Sequence, residues 1–203
     1  MTNRRSLNLR VQLALIAAPA VLSAQTTEGV IGVPDAPAHS DLPLRHDKKL
    51  VATYDSVADS THLAVVTHKG KYFLWTQHPR LTWSVTYAGR APSAQAPAEV
   101  VLEFRTQNPQ VAVGSRLVLE LTGREPMEVA SVGAYSDPGA MTWSHFMRFP
   151  IPTAELARAL VNEEMRLSVG SIRVHFKRDH MAALRDLLSR VGAWPAALES
   201  GGA

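Results

Sequence analysis

The run from Ala98 to Ala134 constrains the fold more than any other stretch of the chain. Within it Val100, Leu102 and Phe104 alternate with Val101, Glu103 and Arg105, and Leu117, Leu119 and Leu121 alternate with Arg116, Val118 and Glu120. Successive side chains of an extended chain point to opposite faces, so this period of two predicts strands that bury one face. Gln107-Asn108-Pro109 and the stretch from Thr122 to Pro126 supply turn residues between them. The strands are therefore expected to fold back on one another as consecutive antiparallel neighbours, with a cover supplied from elsewhere.

The same period recurs over residues 49–55, 61–67, 71–75, 81–88, 140–151, 165–169 and 172–176. His68-Lys69-Gly70 reads as a turn, His78-Pro79-Arg80 as a loop, and Gly170-Ser171 as either a tight hairpin or a bulge. A short helix is expected after Pro152, with Thr153 as its N-cap and Leu156, Leu160 and Val161 as its apolar stripe. A longer amphipathic helix is expected to be capped by Asp179 and closed by Gly192. Met181, Leu184, Leu188 and Val191 form its inner face, and Asp186 and Arg190 an i,i+4 pair. Together these elements predict a mostly β or α+β fold, an antiparallel sheet or sandwich with the short helix and the C-terminal amphipathic helix packed on it.

Three stretches fall outside this pattern. Residues 1–24 carry Arg4, Arg5 and Arg10, an apolar run from Val11 to Leu22 and then Ser23-Ala24, the plan of a cleaved signal peptide. The run is shorter than the roughly 20 residues of a membrane span and is broken by Pro19, so no transmembrane segment is expected after cleavage. Residues 25–47, with three prolines and two glycines, read as a flexible arm, residues 48–192 as a single β-rich domain, and residues 193–203 as a disordered tail. The expected location is periplasmic or secreted.

The sequence pI of about 9.4 would suggest a nucleic-acid partner, but the excess charge sits in the leader. Three of the 21 Lys and Arg precede residue 11 and none of the 18 Asp and Glu does, so the chain after residue 24 is balanced at 18 against 18. No general attraction to phosphate backbones results, and no nucleic-acid partner is expected. The chain has no cysteine, which removes disulfides, thiol chemistry and lipid attachment through cysteine.

The opening strand Lys-Leu-Val-Ala-Thr-Tyr-Asp (residues 49–55), the Glu-Val-Val-Leu-Glu-Phe strand, the Leu-Val-Leu-Glu-Leu-Thr-Gly hairpin and the closing Ile-Arg-Val-His-Phe strand with its helix resemble exported bacterial β-rich proteins to which no activity is assigned. The resemblance spans most of residues 47–192 and implies the architecture alone.

Motifs that would fix a reaction are missing. His62, His68 and His78 fall in one stretch, and His175 and His180 bracket a strand end, without a His-Glu-x-x-His helix or a third specified ligand. His62 and His68, an even number apart, could share a face. Ser144-His145 point to opposite faces, Ser168 to Ser171 lacks the spacing of a nucleophile elbow, and neither Glu163-Glu164 nor Asp55 with Asp59 implies a cleft. No phosphate loop occurs, so no metal, cofactor or catalytic residue is assigned. Folding explains least the crowding of Tyr72, Phe73, Trp75, Trp83 and Tyr87 among Lys69, Lys71, His78 and Arg80. Trp83 and Tyr87 fit a core face, leaving Tyr72, Trp75, His78 and Arg80 as the candidate binding residues. The chain thus reads as an exported, non-catalytic binding or structural protein whose partner is an envelope protein or small ligand. One alternative is a hydrolase or metal-dependent enzyme using distant residues such as His62, His78, His145 and Asp137. Another is an envelope-assembly subunit that pairs through a sheet edge.

Overall fold

The computed structural model describes residues 28–34, 46–73, 76–92, 95–121, 125–138, 143–161 and 164–194. In chain order the strands are β1 (Glu28–Ile31), β2 (Leu50–Asp55), β3 (Ser60–Phe73), β4 (Thr76–Ala88), β5 (Glu99–Thr106), β6 (Leu117–Leu121), β7 (Met127–Val129), β8 (Tyr135–Pro138) and β9 (Trp143–Pro152). Helix α1 (Thr153–Ala159), strands β10 (Met165–Val169) and β11 (Ile172–Phe176), and helix α2 (Arg178–Ser189) complete the fold. All pairings are antiparallel and build two sheets, ordered β1-β2-β3-β4-β5-β9-β8 and β11-β10-β6-β7. The β-rich α+β expectation therefore holds.

The pairing of the central run differs from expectation. β5 lies between β4 and β9 in the large sheet, whereas β6 lies between β10 and β7 in the small one, so the two strands are not neighbours. Alternation reports which face of a strand is buried but not its partner, and the crossing segment is itself anchored by Val111, which is 1% exposed. The β6–β7 hairpin does form, with Leu117 opposite Val129.

One core fills the space between the sheets and helices. The large sheet contributes Leu81, Trp83, Val85, Leu102, Phe104, Phe149 and Ile151, and the small sheet Leu117, Leu119, Leu167 and Phe176. Trp83 meets Phe176 edge-on, their ring centroids 5.7 Å apart, which ties one sheet to the other.

His68-Lys69-Gly70 is not a turn, nor His78-Pro79-Arg80 a loop; both lie within the long β3–β4 hairpin. The register slips between Val66 and His68, which makes Thr67 the extra residue of a bulge. Thr67 keeps the inward phase of Leu63 and Val65, and its Oγ1 accepts the buried indole N–H of Trp83 at 3.1 Å. The same slip moves His68 to the inner side, against Phe176, while His62 on the far side of the bulge faces Thr86 on the outer side. The two histidines do not share a face. Gly170-Ser171 is a two-residue hairpin, with Val169 opposite Ile172 and Gly170 at φ +56°.

The segment expected as a flexible arm belongs to the fold wherever it is described. β1 adds an edge strand to β2, and Ile31 and Val33 pack on the core. His46 donates from Nε2 to Asp186 at 3.0 Å while its Nδ1 accepts the Lys48 N–H at 3.0 Å. Arg190 grips the other Asp186 oxygen at 2.9 Å and donates to the Pro34 carbonyl. The expected Asp186–Arg190 pair is thus half of a bridge that fastens the N-terminal segment to α2. Residues 1–24 and 195–203 lie outside the described residues.

Helix α2 is buried from Met181 to Ser189, and not along one stripe: Asp186 on its outer side meets His46, and Arg185 meets the end of α1. Its buried Arg185 donates twice to the Leu160 carbonyl, at 2.9 and 2.7 Å, closing the end of α1. Lys177, not Asp179, is the N-cap, and His180 Nδ1 accepts the Lys177 N–H at 3.2 Å. Asp179 sits in the first turn, where its charge suits the helix dipole. Thr153 likewise opens α1 and does not cap it; Pro152 holds that position and the Thr153 hydroxyl is buried without a partner among the described residues.

Helix α2 does end at Gly192, which takes φ +68° while its N–H bonds Ser189 O at 3.1 Å and the Ala193 N–H bonds Leu188 O at 2.9 Å. Gly192→Ala, with no atom within 4 Å of the added methyl, is expected to cost about 1–2 kcal/mol through backbone strain alone. Urea denaturation would measure it. Ala193 and Trp194, assigned by sequence to the tail, are 3% and 2% exposed. The reversal at Gly192 turns them back into the core, a consequence that composition at a chain end does not reveal.

Candidate anion-binding site

The inward positions of the large sheet dictate what points outward. With Leu81, Trp83, Leu102, Phe104, Met147 and Phe149 in the core, Arg80, Thr82, Glu103, Arg105, Phe146 and Arg148 share the opposite face. Register then aligns them across strands. Arg80 on β4 is opposite Arg105 on β5, Arg105 is opposite Phe146 on β9, and Phe146 is opposite Tyr135 on β8. Lys69 on β3 extends the row beyond Arg80.

The row is held by stacking. The Tyr135 and Phe146 rings lie parallel within 9°, their centroids 4.7 Å apart, and the Arg105 guanidinium sits 4.8 Å from the Phe146 centroid. Guanidinium, ring and ring form one continuous stack, a contact that contributes about 0.5–1 kcal/mol where exposed. In the adjacent row Arg148 Nε approaches Glu103 Oε1 at 3.5 Å. These residues line a cavity of about 340 Å³, within the size range of small-molecule sites.

The charges in this cavity favour an anion. Arg80 and Arg105, like charges on directly opposed residues, disfavour each other across the strand pair. No carboxylate pairs with Arg80 or Arg105 among the described residues. The Arg105 Nε is buried with no hydrogen-bond partner among them. A chain selected for stability alone has no reason to keep such a pair, whereas an anion between the two guanidinium groups would neutralise both and fill the vacant donor.

Of the four residues singled out by sequence, Arg80 lines this cavity. His78, two residues earlier on β4, lines a separate cleft with His68, His175 and His180. Tyr72 lies in β3, and Trp75 is outside the described residues. Sequence reasoning misses Arg105, Tyr135 and Phe146. The available signal is Phe146, a large aromatic at the polar phase of its strand beside Ser144 and Arg148.

The second cleft is built around imidazoles. The His68 and His180 rings lie 4.3 Å apart and both contact Phe176. Burial first, then His180, Lys48 and His78, holds His68 down at about 4 from its usual 6.5. His180 is lowered as well, mainly by burial and by Lys48, against the opposing pull of Asp179. The folded protein therefore keeps His68 neutral at a pH where the unfolded chain has taken up the proton. Stability is full above about 6.5 and declines as the pH falls toward about 4. We expect the urea midpoint to drop across that window and His68→Phe to flatten the drop.

Metal chemistry finds no cluster here. No group of three His, Cys, Asp or Glu among the described residues is placed to share an ion. His62, opposite Thr86, is eight residues along β4 from His78, roughly 26 Å at the rise of a strand. His145 Nδ1 instead meets the hydroxyl of its cross-strand partner Ser136 at 2.8 Å. Among the described residues no helix is long and apolar enough to cross a membrane. No protein-family model matches the chain, and no curated protein or solved structure matches it either.

Proposed function

We propose that this protein binds, without transforming it, a small ligand that carries a carboxylate, phosphate or sulfate group beside a planar ring, and that it does so as an exported protein of the bacterial envelope. The observation that carries the binding reading is the opposed pair Arg80 and Arg105, with Arg105 oriented by Phe146 and its Nε without a partner among the described residues. The anion binds the Arg80 and Arg105 guanidinium groups, and the ligand ring packs against the aromatic wall of the same cavity, which begins at Phe146 beside Arg105. Export rests on the arginines and apolar run of residues 1–24 and on the balanced charge of residues 25–203, which also argues against a nucleic-acid partner.

Calorimetric titration with phenyl phosphate tests the binding. Wild-type protein is expected to bind it saturably and to ignore phenol. Arg105→Gln, which removes one charge-assisted contact of about 1.5–3 kcal/mol, should weaken binding roughly 10–100-fold. Equal binding of phenol, or an unchanged Arg105→Gln, would count against the reading. The Ser136–His145 hydrogen bond favours a second reading, a hydrolase with Ser136 as nucleophile and His145 as base. Labelling by a fluorophosphonate, lost in Ser136→Ala, would decide for that reading.

A further inference from the structure

The cleft beside β11 has the features of a strand-binding groove. β11 is the last strand of the small sheet, with β10 as its strand neighbour among the described residues. An antiparallel strand turns alternate N–H and C=O groups away from its partner, so the outer side of β11 presents a row of backbone groups with no strand partner among the described residues. That row opens into a cleft of about 610 Å³, walled on one side by Ile172 to His175 and on the other by His68, His78 and Pro79 of the β3–β4 hairpin. Lys177 and His180, from the start of α2, close one end.

We infer that this cleft takes an extended acidic peptide from a partner protein as an added strand along β11. Charge selects the partner: Arg173, His175 and Lys177 are exposed along the groove and, among the described residues, no Asp or Glu lines it. Glu164 stands 3.8 Å from His175 and offsets part of that charge from outside the lining. Alternation selects the peptide's pattern. Ile172 and Val174 turn inward toward the ring cluster of His68, His180 and Phe176, whereas Arg173 and His175 turn outward. Both clustered imidazoles are held neutral by burial, so the inner wall is uncharged. A partner strand would then set small apolar side chains against the rings and carboxylates against the cations, the main chain supplying affinity and the side chains specificity.

The test uses a fluorescein-labelled hexapeptide of alternating glutamate and valine, read by anisotropy. Saturable binding is expected, weakened at least about tenfold by Arg173→Glu with Lys177→Glu. It should be abolished when alternate peptide nitrogens are methylated, which removes backbone pairing but keeps charge. Arg105→Gln should leave it unchanged, which separates this groove from the anion site. No saturable binding to wild type would overturn the inference, as would binding of the methylated peptide or of a lysine–valine counterpart within about twofold. Loss of binding in Arg105→Gln would overturn it too. Because the peptide-side comparisons use wild-type protein, they decide the matter even if the double variant fails to fold.

Discussion

Trp83→Ala is expected to lower the unfolding free energy by about 3–5 kcal/mol, a large share of the roughly 5–15 kcal/mol that holds a domain together. Trp83 is fully buried, meets Phe176 of the opposite sheet edge-on, and gives its indole N–H to Thr67. Its removal leaves a cavity at the seam of the two sheets and takes one partner from the Thr67 hydroxyl, which keeps His68 Nδ1 at 3.3 Å. Thr67→Val is the milder companion: it keeps the volume but leaves a buried N–H unpaired, at a cost of about 1–3 kcal/mol. Guanidinium denaturation would measure both. A loss below about 1 kcal/mol for Trp83→Ala would mean that the sheets are not joined where Trp83 and Phe176 touch.

Asp186→Ala should be comparably damaging, by about 3–5 kcal/mol, because it removes the shared acceptor of a buried network. The His46 side chain is 5% exposed and Arg190 22%, so both would be left as donors with little water to turn to. The consequence reaches beyond α2, since His46 and Arg190 are what tie the N-terminal segment down through Asp186 and the Pro34 carbonyl. Amide exchange in β1 is expected to rise together with the loss of stability. If stability falls while β1 stays protected, the segment is held by its pairing with β2 and not by the bridge.

These two sites show what is legible in the chain and what is not. Alternation places Leu102, Trp83 and Leu119 in the core, because the period of two is a local property of the strand that carries it. It cannot show that β5 and β6 separate into different sheets, because pairing is decided by non-local packing. Inserting one residue reverses the phase of everything after it, so the bulge at Thr67 is enough to send His62 and His68 to opposite sides. His46 and Asp186, 140 positions apart, have no sequence signal linking them.

The candidate site is legible to the same extent. Arg80 stands out because it lies among aromatics close in sequence, but its working neighbours Arg105, Phe146 and Tyr135 come from three other strands. They meet because three separate strand registers agree, and none of those registers can be read from a single segment. His78 and Arg80, close in sequence, serve different cavities.

If Arg80 and Arg105 hold an anion between them, their side-chain Nε–Hε resonances, followed by nitrogen-15 NMR while phenyl phosphate is added, report it most directly. The Arg105 and Arg80 signals are expected to shift together and saturate at one equivalent, with Arg105 moving most because its Nε has no partner among the described residues. Arg116, already paired with Glu128 at 2.8 Å on the small sheet, should stay still. Shifts of similar size in all three arginines, or none in Arg105, would contradict anion binding at this pair.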